Sequence, residues 1–173
     1  DLTIINCKFI KCEAPFGGCI YFQNGAANEQ KFITSCYFES SNGTCIYSQA
    51  YKIEINQTTF INEFDKQLMV IEMDEIEPKP IITLCTFIYN SFNSFTIKIL
   101  NELTFDSCAF RSYNKEDGAL IFDNRFNATK LEFVNCSFHD FLSNSFSTLS
   151  FNQSLIPLCE ILNCSFDSLS AEN

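Results

Sequence analysis

The sequence predicts an all-β fold, a right-handed parallel β-helix of about seven coils without evident end caps. Three observations support this prediction: a short motif recurs along the chain, its residue types favour strands, and a second apolar segment follows most copies. We expect residues 1–173 to form a single β-helix domain, which is either a polymerising subunit or part of a longer rod.

The recurring motif is an apolar residue, two further positions, Cys or Thr, one position and Phe. The strings "LEFVNCSF" at 131–138 and "CEILNCSF" at 159–166 are two copies of it. The first and last copies are 157 residues apart over six intervals, which gives a mean period of about 26 residues, within the range of solenoid repeats. The anchoring phenylalanines, here called the phenylalanine column, are Phe9, Phe38, Phe60, Phe87, Phe110, Phe138 and Phe166.

The residue types in each copy indicate strands. Phe, Ile, Thr, Cys and Asn predominate, whereas helical repeats of this length need Ala, Leu, Glu and Lys at helical spacing. Apolar residues alternate at Leu131 and Phe133 and again at Cys136 and Phe138, with a two-residue offset between the pairs. Each copy is therefore predicted to contain two short strands that meet at a corner.

A second apolar segment follows the motif, as in "GGCIYF", "GTCIYS", "QLMVIE" and "SFTIKI". Turn-forming Gly, Asn, Asp and Ser precede many of these segments, which predicts another strand in each coil. Like strands of successive coils would then stack at about 4.8 Å, with right-handed crossovers. The predicted centres of these strands are Ile20, Ile46, Val70, Ile97, Leu120 and Leu149.

Ten cysteines in 173 residues predict disulfides in an oxidising compartment. Cys19 and Cys45 occupy equivalent turns, and stacked coils bring such positions within disulfide reach, so we predict that they pair. One cysteine of each copy, replaced by Thr58 in the third, forms a cysteine column that is predicted to face inward. Four of its members, Cys7, Cys36, Cys108 and Cys136, are further disulfide candidates. The alternative is a column of free buried thiols. This column consists of Cys7, Cys36, Thr58, Cys85, Cys108, Cys136 and Cys164.

Two cysteines, Cys12 and Cys159, fit neither the cysteine column nor the equivalent turns. They fall in the first and last coils, too far apart to pair within one chain. We hypothesise that Cys12, Cys159 or their coil neighbours Cys7 and Cys164 form a disulfide between subunits joined head to tail, because open terminal coils invite β-augmentation by another copy. The alternative is that the chain is an excerpt of a longer β-helix.

Asn-x-Ser/Thr sequons are more frequent than chance predicts. Six are present, against about three expected from the 17 Asn and 28 Ser plus Thr residues. N-linked glycans on them would indicate a secreted or cell-surface glycoprotein, whereas the alternative is that β-helix corners simply favour Asn and Ser. The candidate sites are Asn42, Asn56, Asn127, Asn135, Asn152 and Asn163.

The coil pattern resembles the right-handed β-helices of the pectin-lyase-like group. The strings "FGGCIYF", "NGTCIYS" and "DGALIFD", together with Phe-x-x-Asn at 87–90, also resemble the short repeats of polymorphic outer-membrane proteins. Those proteins are β-helical surface adhesins. The resemblance implies a parallel β-helix, and a binding role at a cell surface as one expectation.

The net charge of the chain and the motifs that it lacks argue against several kinds of partner and binding site. A net charge of −10 with only 11 Lys and Arg argues against nucleic acid as a partner. No apolar run is long enough to span a membrane. We expect no cofactor and no metal, since Cys-x-x-Cys spacing is absent and His139 is the only histidine; a calcium site in the acidic segment from Glu72 to Glu77 is the less favoured reading of a solvated loop.

The function expected from these features is non-catalytic. We expect an extracellular, N-glycosylated subunit of a surface fibre or coat that assembles head to tail with itself. The alternative is a segment of a surface adhesin. A polysaccharide-cleaving enzyme is less favoured, because clustered carboxylates and basic residues are missing and the anionic chain would repel an acidic polymer.

Overall fold

The structure is a computed structural model of the 173-residue chain. It describes residues 1–14, 18–22, 29–42, 45–48, 52–62, 69–73, 81–89, 94–99, 102–112, 120–123, 130–140, 142–143, 149–152, 158–167 and 170–171. All regular elements within these ranges are β-strands, and all of their pairings are parallel.

Two sheets with seven strands each form the greater part of the fold, and their strands alternate along the chain. The first sheet has the order β1 (Leu2–Ile5), β4 (Gln30–Thr34), β7 (Lys52–Asn56), β10 (Ile81–Thr83), β13 (Glu102–Asp106), β16 (Lys130–Val134) and β20 (Cys159–Leu162). The second has the order β2 (Lys8–Glu13), β5 (Tyr37–Asn42), β8 (Thr59–Asn62), β11 (Thr86–Tyr89), β14 (Ala109–Ser112), β17 (Ser137–His139) and β21 (Ser165–Asp167).

A third sheet is formed by the second apolar segments. Its order is β3 (Ile20–Phe22), β6 (Ile46–Ser48), β9 (Met69–Met73), β12 (Ser94–Ile99), β15 (Leu120–Asp123) and β19 (Leu149–Asn152). A small pair, β18 (Leu142–Ser143) and β22 (Ser170–Ala171), completes the described strands. The all-β parallel solenoid is thereby confirmed, while its right hand and the number of coils stay predictions.

The corner between the first two sheets has the same backbone geometry in every copy of the motif. One residue per copy takes the left-handed conformation, with φ between 48° and 55°. This residue is solvent-exposed in each copy, and Asn, which tolerates that conformation, occupies it at three positions. The corner column consists of Asn6, Ser35, Gln57, Leu84, Ser107, Asn135 and Asn163.

The phenylalanine column is in register throughout, as the sequence predicts. Neighbouring rings are stacked at centroid distances of 4.7–5.1 Å. Phe105 and Phe133 of the first sheet pack edge-on against this column, for example at 5.4 Å from Phe105 to Phe110. The core is therefore a continuous stack of aromatic and aliphatic side chains between the sheets.

The predicted alignment of the third sheet is wrong in part. Ile20 and Ile46 pair as expected, but Ile46 then pairs with Met69 instead of Val70. Met69 pairs with Phe95, which lies two residues before the predicted Ile97. Apolar residues occupy successive positions in "QLMVIE", so alternation does not fix the register there.

Candidate functional site

The most distinctive chemical feature of the interior is the cysteine column. Each member directly follows a corner residue and precedes a strand of the second sheet. The turn that places the corner residue outside therefore brings the next side chain inside. Cys36, Cys85, Cys108 and Cys136 are at most 4% exposed, whereas Cys7 and Cys164, at the two ends, are not buried.

The thiols of this column lie close to backbone carbonyl oxygens. The Sγ of Cys108 lies 3.4 Å from the carbonyl oxygen of Asp106 and 3.4 Å from that of Ile82, in the preceding coil. Cys136 repeats both contacts at 3.4 Å, with Val134 and Phe105. Cysteine thus combines a small apolar side chain with a weak donor that serves carbonyl groups at the corner.

Thr58 takes the place of a cysteine in the cysteine column and makes a similar contact. Its hydroxyl donates to the carbonyl oxygen of Asn56 at 2.9 Å, the same i−2 contact that the thiols make. It also accepts a hydrogen bond from the backbone N–H of Cys36 at 3.3 Å. A buried hydroxyl needs such partners. The position therefore selects a small side chain that can donate to the i−2 carbonyl.

Two thiols in the middle of this column, those of Cys108 and Cys136, have a raised pKa. Cys136 has a raised pKa because its thiol hydrogen-bonds with Cys108 and because it is buried. The hydrogen bond with Cys136 lowers the pKa of Cys108, but the hydrogen bond with Cys85 and burial outweigh it and raise the pKa to about 12. Since the thiolate is the reactive form, these sulfurs are poor nucleophiles at neutral pH.

All ten cysteines are free thiols in this structure, which does not support the predicted bridges. Within the cysteine column, Cys36 lies between Cys7 and Thr58, and the bridges proposed for Cys7, Cys36, Cys108 and Cys136 stay predictions. Cys19 and Cys45 do lie side by side, because the N–H of Cys19 donates to the carbonyl oxygen of Cys45 at 3.2 Å. Their pairing stays a prediction.

The three inter-subunit candidates occupy different settings. Cys159, in β20, is exposed and pairs in register with Leu131, and Cys164 lies at the end of the cysteine column. Cys12 lies in β2 and is partly exposed, with its Sγ 3.8 Å from the carbonyl oxygen of Ile10. Register shifts flank it, which indicates a bulge near the end of β2. The disulfide between subunits stays a prediction.

The sequons lie in unlike environments. Asn135 and Asn163 are exposed members of the corner column, and the amide Nδ2 of Asn135 donates to Asp106 at 3.4 Å. Asn56 is half-buried, with its Oδ1 accepting a hydrogen bond from the Thr83 hydroxyl at 3.1 Å. The backbones of Asn42 and Asn152 end strands β5 and β19, whereas Asn127 lies outside the described residues. Glycosylation of all six stays a prediction.

Charged side chains form networks on the outer faces of the first two sheets. Lys130 lies 2.6 Å from Glu132 and 2.8 Å from Glu160, and these contacts raise the pKa of Lys130. Its ammonium and the Thr104 hydroxyl lower the pKa of Glu132. On the second sheet, His139 lies 3.5 Å from Asp167. Lys130 and Glu132 belong to the same strand, whereas the contacts of Lys130 with Glu160 and of His139 with Asp167 join neighbouring strands, as cross-strand charges on a solvated sheet face do.

A stacked pair of tyrosines, one of them exposed and the other half-buried, lies on the third sheet. The rings of Tyr21 and Tyr47 stack at 5.3 Å, and Tyr21 is 50% exposed. The sequence reasoning did not single out this pair, although the tyrosines hold the same place in "CIYF" and "CIYS". An alignment of these two strings would have predicted that the tyrosines lie side by side on neighbouring strands.

The remaining candidate features lie mostly beyond the described ranges. Residues 74–80 of the acidic segment are among them, so the calcium question lies outside the described residues. Within the described ranges, no group of three or more His, Cys, Asp or Glu side chains is arranged to hold a metal ion. None of the described segments is a helix of the length and apolar character that a membrane span requires.

Comparison of the chain with protein-family models, with curated proteins and with solved structures found no match.

Proposed function

We propose that this protein is a non-catalytic structural subunit of an extracellular fibre or coat, N-glycosylated and assembled head to tail with copies of itself. The observation that carries the proposal is the unbroken internal register. The phenylalanine column runs from β2 to β21 with one ring per strand and no change of geometry. A stack of this kind extends by adding further equivalent coils, which is how solenoids lengthen.

Exposed apolar side chains in the first and last coils also support the proposal. Among the described residues, most of the exposed large apolar side chains belong to the first and last coils, which contain Leu2, Ile5, Ile10, Leu158, Ile161, Leu162 and Phe166. Phe166 stacks on Phe138 at 4.7 Å yet remains 40% exposed. Any further coil that continues the stack would cover this ring and pair the edge strands of both sheets, and in a second copy of the chain Phe9 would take that place.

Charge is compatible with such a junction. The first coil exposes Lys8 and Lys11 on β2, whereas the last coil carries Glu160 and Asp167. If the last coil of one copy stacks on the first coil of the next in register, Asp167 falls beside Ile10, with Lys8 and Lys11 close by. Opposite charges on neighbouring strands favour the pairing.

Particle length tests the assembly. Purified chain at increasing concentration should form rods longer than one subunit in negative-stain electron microscopy and sedimentation. Phe166→Glu should keep the chain monomeric, because it places a charge on the end face. Ile81→Glu is the matched control, since Ile81 is 44% exposed but lies in the central strand β10; this variant should still assemble. A wild-type chain that stays monomeric under all conditions would contradict head-to-tail assembly.

A second candidate function is that of a surface adhesin segment, which the resemblance to polymorphic outer-membrane repeats suggests. The exposed Tyr21, which stacks on the half-buried Tyr47, favours it, because exposed aromatic side chains are common anchors in binding surfaces. Tyr21→Ala with Tyr47→Ala should abolish binding of the chain to cell surfaces while leaving rod formation intact. Unchanged binding would remove the observation that supports this candidate.

A further inference from the structure

Leu84 is the apolar exception in the corner column, whose other six members are polar. Its side chain is 53% exposed, and its φ of 53° is a conformation that leucine adopts only at a cost. Among the described residues, the exposed large apolar side chains lie in the first coil, in the last coil and in the fourth, which contributes Ile81 and Leu84. Neither the exposure nor the backbone conformation of Leu84 stabilises a single chain, which indicates a contact with another molecule.

The outer face of the second sheet adjoins Leu84. Residues on either side of each ring in the phenylalanine column point outward, because successive residues of a strand face opposite sides. In the third and fourth strands these residues are Thr59, Ile61, Thr86 and Ile88, all half-buried and uncharged. Thr59 pairs in register with Thr86, and Ile61 with Ile88. Leu84 and the outer face of the second sheet, here called the lateral face, therefore have an uncharged, largely apolar centre.

The charges of the lateral face lie toward its ends. On the first strand, Lys8 Nζ lies 4.7 Å from the centre of the Tyr37 ring, whose hydroxyl donates to Glu39 at 2.8 Å. On the last strand, Asp167 lies 3.5 Å from His139 of the sixth. The first strand is thus net basic and the last acidic, while Glu39 and His139 lie on the second and sixth strands, at equal distances from the fourth.

We propose that the lateral face binds the same face of a second copy, with the two chains antiparallel and related by a two-fold axis at the fourth coil. This axis brings Leu84 and Ile88 of one chain against the same residues of the other, so one apolar centre covers the other. The contact uses the side of the rod and so goes beyond head-to-tail assembly, which uses its ends.

Charge favours the antiparallel arrangement. The axis runs along the strands, so it places the second strand of one chain opposite the sixth of the other and the first opposite the last. Glu39 then faces His139, and Asp167 faces the strand that carries Lys8. Arg111, on the fifth strand, faces the uncharged third strand and keeps its ion pair within the chain. A parallel arrangement would bring each of these charges near its own counterpart, which is repulsive.

The lateral face is small, which sets the expected strength of the contact. From Leu84 to Ile88 it is roughly 13 Å wide at about 3.3 Å per residue, and its strands at about 4.8 Å spacing make it roughly 30 Å long. Its planar area is therefore about 400 Å² per copy, below the value of about 800 Å² that is usual in stable complexes. Single chains should pair weakly and reversibly, and in a longer rod the repeated contact should be stronger.

Sedimentation equilibrium and small-angle X-ray scattering test the pairing. The full chain is produced without glycans, because Asn135 and Asn163 also lie on the corner column. As its concentration rises, the wild type should form pairs with a doubled cross-section and an unchanged length. Leu84→Gln should raise the dissociation constant at least about tenfold, since the axis removes two leucine side chains from one contact. Thr86→Lys should abolish pairing, because it places two like charges across the axis.

Ser107→Gln is the matched control, since it introduces glutamine one coil away in the corner column, and it should pair like the wild type. Gln57 already occupies this column, so both glutamine variants should fold, which urea unfolding checks. Lys8→Gln reports the orientation of the pair. It should weaken an antiparallel pair and would strengthen a parallel one, in which the lysines of the two copies repel.

Three outcomes would overturn the proposal: no pairing of the wild type up to about 1 mM, equal pairing by the wild type and Leu84→Gln, or stronger pairing by Lys8→Gln. Head-to-tail assembly lengthens the particle without widening it, so the two proposals fail separately.

Discussion

The middle and the end of the phenylalanine column contain the same residue in the same register, yet their surroundings differ. Phe87 has a stacked ring on each side, at 5.1 Å from Phe60 and 5.1 Å from Phe110, and is 0% exposed. Phe166 stacks on Phe138 alone and is 40% exposed. The contribution of a side chain in a stacked fold therefore depends on how many coils flank it, and identical motifs are energetically unequal.

Truncating the two rings should reveal this inequality most strongly. Phe87→Ala should lower the free energy of unfolding by about 3–5 kcal/mol, because it removes buried area and leaves a cavity between two rings. Phe166→Ala should cost less than about half of that in the monomeric chain, since solvent already reaches its ring. Urea unfolding of both variants and the wild type measures the difference. Equal losses would mean that flanking coils do not determine the contribution of a ring.

The cysteine column should make the middle of the fold sensitive to alkaline pH. The pKa of Cys108 is raised from 9.0 to about 12, so the folded state favours the protonated thiol. The stabilisation is complete below about pH 9 and is lost as pH rises toward 12, at up to about 1.4 kcal/mol per pH unit. Urea midpoints measured from pH 8 to pH 11 test this.

Cys108→Thr is the matched control for the alkaline effect. Thr58 already occupies this column and makes the i−2 contact with a hydroxyl that does not titrate in this range. The variant should unfold with a shallower dependence on alkaline pH than the wild type. The same slope in both proteins would place the titrating group elsewhere.

The smallest effect is expected on the outer face. Arg111 lies 3.8 Å from Asp140, and both side chains are about half exposed, at 57% and 49%. Arg111→Gln should reduce the free energy of unfolding by less than about 1 kcal/mol, as exposed ion pairs usually do. The difference should vanish in 1 M salt, which screens exposed charges. A loss comparable with that of Phe87→Ala would show that the outer face stabilises the fold as strongly as the core.

The sequence predicted the columns that one recurring string defines. Phe and Cys return with the same neighbours in nearly every copy, so their register follows from the motif. The third sheet was harder, because its contiguous apolar segments allow a slip by one or two residues, as Met69 and Phe95 show.

The bulge near the end of β2 could not be predicted from the spacing of the motif. Lys11 has a left-handed φ there, and register shifts flank Cys12, which breaks the alternation on which the prediction rests. The same holds for the choice between thiols and bridges in the cysteine column, since both are compatible with stacked coils. The four buried thiols, Cys36, Cys85, Cys108 and Cys136, each contact two carbonyl groups, which is a physical reason that favours thiols there.

The parallel pairing of every strand has a mechanical consequence. Strands β1 and β20 lie at opposite edges of the first sheet, and hydrogen bonds between coils run along the stacking direction. Tension applied between these two strands therefore loads the bonds of one coil boundary in series with those of the next. Under such a load the stack should yield by peeling off a coil at its weakest boundary, and force–extension traces should show small, repeated steps instead of a single large rupture.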